Sequence, residues 1–88
     1  MYFQLQLFHV LAQERSSIVK QVKITKEPIE LYKILKFEGL ASSGGQAKTI
    51  INDGQVLVNG EVEKRKRKKI MSGDVIEYMS ETLKILLK

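Results

Sequence analysis

The stretch "SSGGQAKTIINDGQVLVNG", Ser42 to Gly60, decides how this chain folds. Ala47, Ile50 and Ile51 recur at helical spacing, and Val56 and Val58 then alternate as a strand does. Gly54 lies between the two patterns, where a glycine ends a helix by taking the left-handed conformation at no steric cost. Ser43 and Gln46 mark the start: a serine hydroxyl accepts one free amide, and a glutamine at the third helical position reaches back. Asn59-Gly60 closes the stretch. Both residues tolerate positive φ, as the two central positions of a type I′ hairpin require, and Val62 follows on the returning strand.

Upstream, "KEPIELYKILKFEGL" (Lys26 to Leu40) predicts a first helix of about ten residues, a length that needs tertiary support. Pro28 is placed in its first turn, where a missing N–H costs nothing. Ile29 or Leu31, with Ile34, Leu35 and Phe37, supplies the apolar face, and Gly39 the cap. Before it, "VKQVKIT" (Val19 to Thr25) reads as a strand with Val22 and Ile24 on one face. Downstream, "IMSGDVIEYMS" resumes the sheet around a Ser72-Gly73-Asp74 turn, and "LKILLK" adds a last strand. Residues 1–18 read as an N-terminal extension whose order the sequence leaves open, packing through Phe3, Leu5 and Leu7. Residues 19–88 read as one domain.

Composition narrows the function. The chain has 88 residues and 43% apolar residues, which suits one modest core. It has no cysteine, so neither a disulfide framework nor a thiolate metal site is available. His9, the sole histidine, has no neighbours that complete a metal site. No apolar run approaches the ~20 residues of a membrane span. No catalytic constellation is visible: Ser42 and Ser43 lack an identifiable base, and the acidic residues show no ligand spacing. The expectation is a protein that is not an enzyme and needs no cofactor.

Charge is concentrated. Residues 64–69, "KRKRKK", carry six positive charges of a net +5, so the remainder of the chain sums to −1. A half-buried strand cannot carry a charge on both faces, so the run predicts an exposed edge or loop. Such a local patch points to a polyanionic partner: nucleic acid or an anionic membrane surface.

Gly44 and Gly45 raise a separate question. They occupy the first two helical positions, at roughly 1 kcal/mol each relative to alanine. The first amides of a helix have no internal partner and lie at the positive end of its dipole. Two glycines leave those amides open to a phosphate. They equally permit a sharp helix–helix turn or close backbone packing. The P-loop pattern is absent, because Lys48-Thr49 follows at the wrong spacing.

Taken together, "ELYKILKFEGLASSGGQAKTIINDGQVLVNGEVE" and the later "GDVIE" resemble the RNA-binding domain named after small-subunit ribosomal protein S-four, over about residues 24–78. The wording "SGGQAK" and "VNGEVEKRKRKK" looks nearest to its small stand-alone bacterial members of YbcJ/YaaA-like type. The resemblance implies an α+β fold with an alpha-L motif: two short helices packed on a small, mostly antiparallel sheet of three to five strands. It implies a module for structured RNA, ribosomal RNA or a ribosome assembly particle. The expected protein is cytoplasmic and monomeric, without a membrane partner. Carried over by position, the RNA-binding residues are Ser43, Gly44, Gly45, Gln46 and Lys48 at the second helix. Lys33 and Lys36 flank them from the first, and Arg65, Lys66, Arg67 and Lys68 follow the hairpin. Many members have an arginine where this chain has Gly44, so backbone amides and the basic run are the expected substitutes. Tyr32, Phe37 and Tyr78 are expected as core or rim residues, leaving recognition to shape and phosphate positions. The alternatives are a DNA- or membrane-binding basic module and a ribosome-associated protein–protein adaptor.

Overall fold

The computed structural model describes residues 18–88. The expected packing of residues 1–17 therefore lies outside the described residues. The elements run β1 (Ile18–Ile24), β2 (Ile29–Glu30), α1 (Leu31–Phe37), α2 (Gly44–Asn52), β3 (Val56–Val58), β4 (Glu61–Val62), β5 (Lys69–Ile70), β6 (Val75–Tyr78) and β7 (Glu81–Leu87). Five strands form one sheet in the order β1-β7-β6-β3-β4. Its inner pairings are antiparallel, and β1 lies parallel to β7 at one edge, with Val22 opposite Ile85. A separate two-stranded ladder pairs β2 with β5, Ile29 opposite Ile70 and Glu30 opposite Lys69. This is the expected α+β architecture, with two helices on a mixed sheet.

Strand alternation selects one sheet face for burial. Val22 and Ile24, Val56 and Val58, Ile76, Leu83 and Ile85 all point to the helices. The helices answer with Leu31, Ile34 and Leu35 from α1 and Ala47, Ile50 and Ile51 from α2. The small Ala47, fully buried, is suited to a close approach of the two helices. Ile70 brings the β2–β5 ladder into the same core. The turns carry the predicted backbone. Gly39 and Gly54 adopt φ of 76° and 80° behind the two helices, and Asn59 and Gly60 adopt 53° and 86° in the hairpin. Pro28 belongs elsewhere than expected. It precedes β2, and α1 begins only at Leu31 and spans seven residues, because Ile29 and Glu30 are drawn into the ladder with β5.

Phe37 also departs from expectation: it is 65% exposed. At 3.6 residues per turn it lies about 100° round the helix from the stripe of Leu31, Ile34 and Leu35. The position that continues the stripe is Glu38, half-buried, with its carboxylate 2.9 Å from Lys20 Nζ. That contact raises the Lys20 pKa, chiefly through the hydrogen bond to Glu38.

Candidate nucleic-acid interface

The interface is built around α1, whose short length leaves it poorly capped. Glu30 at its N-cap makes no side-chain capping bond. Two of its free amides are satisfied from a distant part of the chain: Leu31 N–H donates to the Lys68 carbonyl at 2.9 Å and Tyr32 N–H to the Lys66 carbonyl at 3.1 Å. The basic run thus wraps the N-terminus of α1 with its backbone. A turn closed by Lys68 N–H on the Arg65 carbonyl, 3.1 Å, shapes it. Its last residue, Lys69, lies in β5, an exposed edge position of the two-stranded ladder, because Ile70 beside it is a core residue.

Tyr32 is where the parts meet. Its half-buried ring packs against the core. Lys48 Nζ of α2 lies 4.6 Å from the ring centroid, the Arg67 guanidinium 5.3 Å and Lys33 Nζ 6.0 Å, all within cation–π range. A methyl group placed on Gly44 would lie 3.6 Å from the same ring. Basic residues from α1, α2 and the run following the hairpin therefore share one surface with the mouth of α2. Lys36 stands one turn beyond Tyr32, exposed.

The mouth of α2 has an ordered cap. Ser43 Oγ accepts the Gln46 amide at 3.1 Å, as the sequence suggests. The reciprocal half shifts by one residue, since Gln46 Oε1 accepts from the backbone N–H and the hydroxyl of Ser42 rather than from Ser43. Ser43 and Gln46 are thus occupied in shaping the helix start. The amides of Gly44 and Gly45 have no hydrogen-bond acceptor among the described residues.

Neither glycine is needed for the chain path. Positive φ in this helix–helix connection falls on Gly39, not on Gly44 or Gly45. A Cβ on Gly44 meets only ordinary van der Waals contact, and on Gly45 its nearest neighbour is Ser43 Oγ at 3.9 Å. The turn and close-packing explanations lose their geometric ground. Open amides remain.

Carboxylates interrupt the positive surface at two points. Glu30 lies between Arg67 Nη1 at 3.2 Å and Lys33 Nζ at 3.3 Å. Partial desolvation pushes the Glu30 carboxyl up, but hydrogen bonds and charge from Arg67 and Lys33 outweigh it and hold it below the usual range. Arg65 is clamped by Glu63, Nε to Oε2 at 2.8 Å and Nη2 to Oε1 at 3.0 Å. Hydrogen bonding to Arg65 keeps the Glu63 carboxyl low. Of the expected residues, then, Lys33, Gly44, Lys48 and Arg67 are gathered around Tyr32, whereas Arg65 is paired with Glu63. The roles of Tyr32 and Glu30 were missed. The only local signal was an aromatic one turn before Lys36, and the pairing of Glu30 with Arg67 spans 37 positions. Among the described residues no acidic or histidine cluster is arranged to hold a metal, and no helix is long and apolar enough to cross a membrane.

The comparisons agree with the fold. The solution structure of YbcJ from Escherichia coli, reported as revealing an alfaL motif involved in RNA-binding, superposes with a TM-score of 0.59 at 40% identity, covering 75% of this chain and 85% of that one. In sequence, YbcJ of Escherichia coli (strain K12) is 43% identical over 58 residues, 66% of this chain and 83% of its own. A Bacillus subtilis (strain 168) protein named "Probable ribosome maturation protein RlbA" is 39% identical over 56 residues, 64% of this chain and 79% of its own. The S4 domain family matches residues 22–86, from the first buried strand to the last, and with the two helices, the hairpin and the basic run all inside that span the chain belongs to the S4 domain family.

Proposed function

We propose that this chain binds structured RNA, specifically ribosomal RNA in an assembling or mature ribosomal particle, as a cytoplasmic monomer without chemistry of its own. The observation that carries the reading is the gathering of Lys33, Lys48 and Arg67 around Tyr32 beside the open amides of α2. Phosphate oxygens are the ligands that such cations and amides share. The RNA-binding motif reported for YbcJ and the ribosome maturation named for RlbA support the RNA and the ribosomal particle respectively. Lys33, Lys36, Lys48, Lys66, Arg67 and Lys68 supply charge. Ser43 and Gln46 hold the helix mouth, Gly44 and Gly45 present amides, and Arg65 joins after exchanging Glu63 for phosphate.

Crosslinking in living cells, followed by sequencing of the attached RNA, tests the partner. Ribosomal RNA is expected to dominate the recovered reads. Recovery of no RNA above background would overturn the reading, and recovery of messenger RNA alone would overturn the ribosomal assignment.

The glycines have their own test. The double variant Gly44→Ala, Gly45→Ala is expected to raise stability by up to about 2 kcal/mol, roughly 1 per glycine, because alanine is the better helix former. The same change covers the amides and should weaken RNA binding several-fold, in line with the roughly 0.3–1 kcal/mol of a helix-terminus charge interaction. Thermal melts and binding isotherms measure the two signs separately. A stabilised variant with unchanged affinity would remove the amides from the interface.

A further inference from the structure

Phe37 has no structural task that explains its exposure. It is the one strongly exposed aromatic among the described residues. It stands between two shallow grooves. One runs between the end of β1 and α1 and is lined by Val22, Ile24 and Ile34. The other, about 490 Å³, is lined by Pro28, Ile29 and Glu30 together with Lys26, Lys33 and Lys69. Ile29 and Lys26 border both grooves. An aromatic face with an apolar floor and a rim of three lysines suits a planar apolar group that carries a phosphate.

The location narrows the ligand further. Round the exposed side of α1 the order is Tyr32, Lys36, Lys33, Phe37. Lys33 belongs to both places: it lies 6.0 Å from the Tyr32 centroid and also lines the Phe37 groove. A strand whose phosphates track across Tyr32 therefore reaches Phe37 within the width of one helix. A base paired inside a duplex cannot offer its face to a side chain, but an unpaired or bulged one can.

We propose that Phe37 is a stacking platform for one unpaired base of the bound RNA, with Lys26, Lys33 and Lys69 holding the flanking phosphates. This rests on the RNA reading above and adds to it. The target carries an extruded nucleotide beside its helical segment, so recognition is not confined to shape and phosphate positions.

The test uses the full chain and two hairpin RNAs of matched length and charge, one fully paired and one with a single-nucleotide bulge in the stem. Stacking on an aromatic side chain supports a preference for the bulged RNA of roughly tenfold or more. Phe37→Ala should abolish that preference while leaving binding to the paired hairpin and its salt dependence unchanged. Phe37→Trp should keep it. Because Phe37 lies outside the core, circular dichroism should show both variants folded like the parent. A parent that binds both hairpins equally, or a Phe37→Ala variant that retains the preference, overturns the stacking site and leaves the RNA reading standing. A parent that binds neither hairpin overturns both.

Discussion

Reversing two charges at once, Lys48→Glu and Arg67→Glu, is expected to lower affinity for structured RNA on the order of 100-fold or more at moderate salt. Hydrogen bonds to charged groups contribute roughly 1.5–3 kcal/mol each, and reversal replaces attraction by repulsion. Each residue is also assigned about one phosphate, so the negative slope of log K against log salt should become shallower by about two. Stability should hardly move. Arg67 and Glu30 form an exposed pair, and such pairs contribute about 0–1 kcal/mol. Both side chains lie over Tyr32 without being buried themselves. Isothermal titration over a salt series measures affinity and slope, and a urea melt checks the fold. A variant that binds like the parent would mean that the Tyr32 cluster is a solvated patch, as the adaptor alternative requires.

Leu35→Ala is expected to act in the opposite way, through the fold alone. Leu35 is fully buried, and its carbonyl accepts from both Leu40 N–H at 3.0 Å and Ala41 N–H at 3.2 Å as the chain leaves α1. Truncating a buried leucine costs about 2–5 kcal/mol, from lost burial and from the cavity left behind. A domain of this size has about 5–15 kcal/mol in total. The variant should show a midpoint well below the parent's in urea and lose RNA binding as it unfolds. A melt within about 0.5 kcal/mol of the parent's would contradict the assignment of α1 to the core. The two variants separate two kinds of residue on one short helix system: those that hold it together and those proposed to hold RNA.

The difference between those kinds was only partly legible in the sequence. Turns and caps were readable because their chemistry is local: Gly39, Gly54 and Asn59-Gly60 take the positive φ that their residue types permit. Strand faces were readable from alternation, as Val22 and Ile24 or Val56 and Val58 demonstrate. The start of α1 was not. Its position is set by a two-residue ladder to Lys69 and Ile70, about forty positions away, and no local pattern announces such a pairing. Phe37 misled for a related reason. Its spacing from Ile34 fits a helical face, but the sheet lies against Leu31, Ile34 and Leu35, and only packing fixes which flank turns outward.

The candidate site shows the same division. The basic run announced itself by composition, and the helix mouth by Ser43 and Gln46. Their closeness did not, because it depends on the carbonyls of Lys66 and Lys68 closing onto the amides of α1. Once that is made, Arg67 reaches Tyr32 from one side and Lys48 from another. The carboxylates of Glu30 and Glu63 add a feature that charge counting hides. They pair with Arg67 and Arg65, so part of the run's positive charge is neutralised within the chain. On the proposed reading, RNA binding would exchange these carboxylates for phosphates.

The measurement that bears most directly on this account is the affinity of the full chain for a folded RNA, a DNA duplex of equal charge and anionic lipid vesicles, each across the same salt series. Tightest binding to the RNA is expected, with log K falling against log salt at a slope of roughly −4 to −5 for about six neutralised phosphates. Tighter binding to vesicles or to the DNA duplex, or an RNA affinity indifferent to salt, would contradict it.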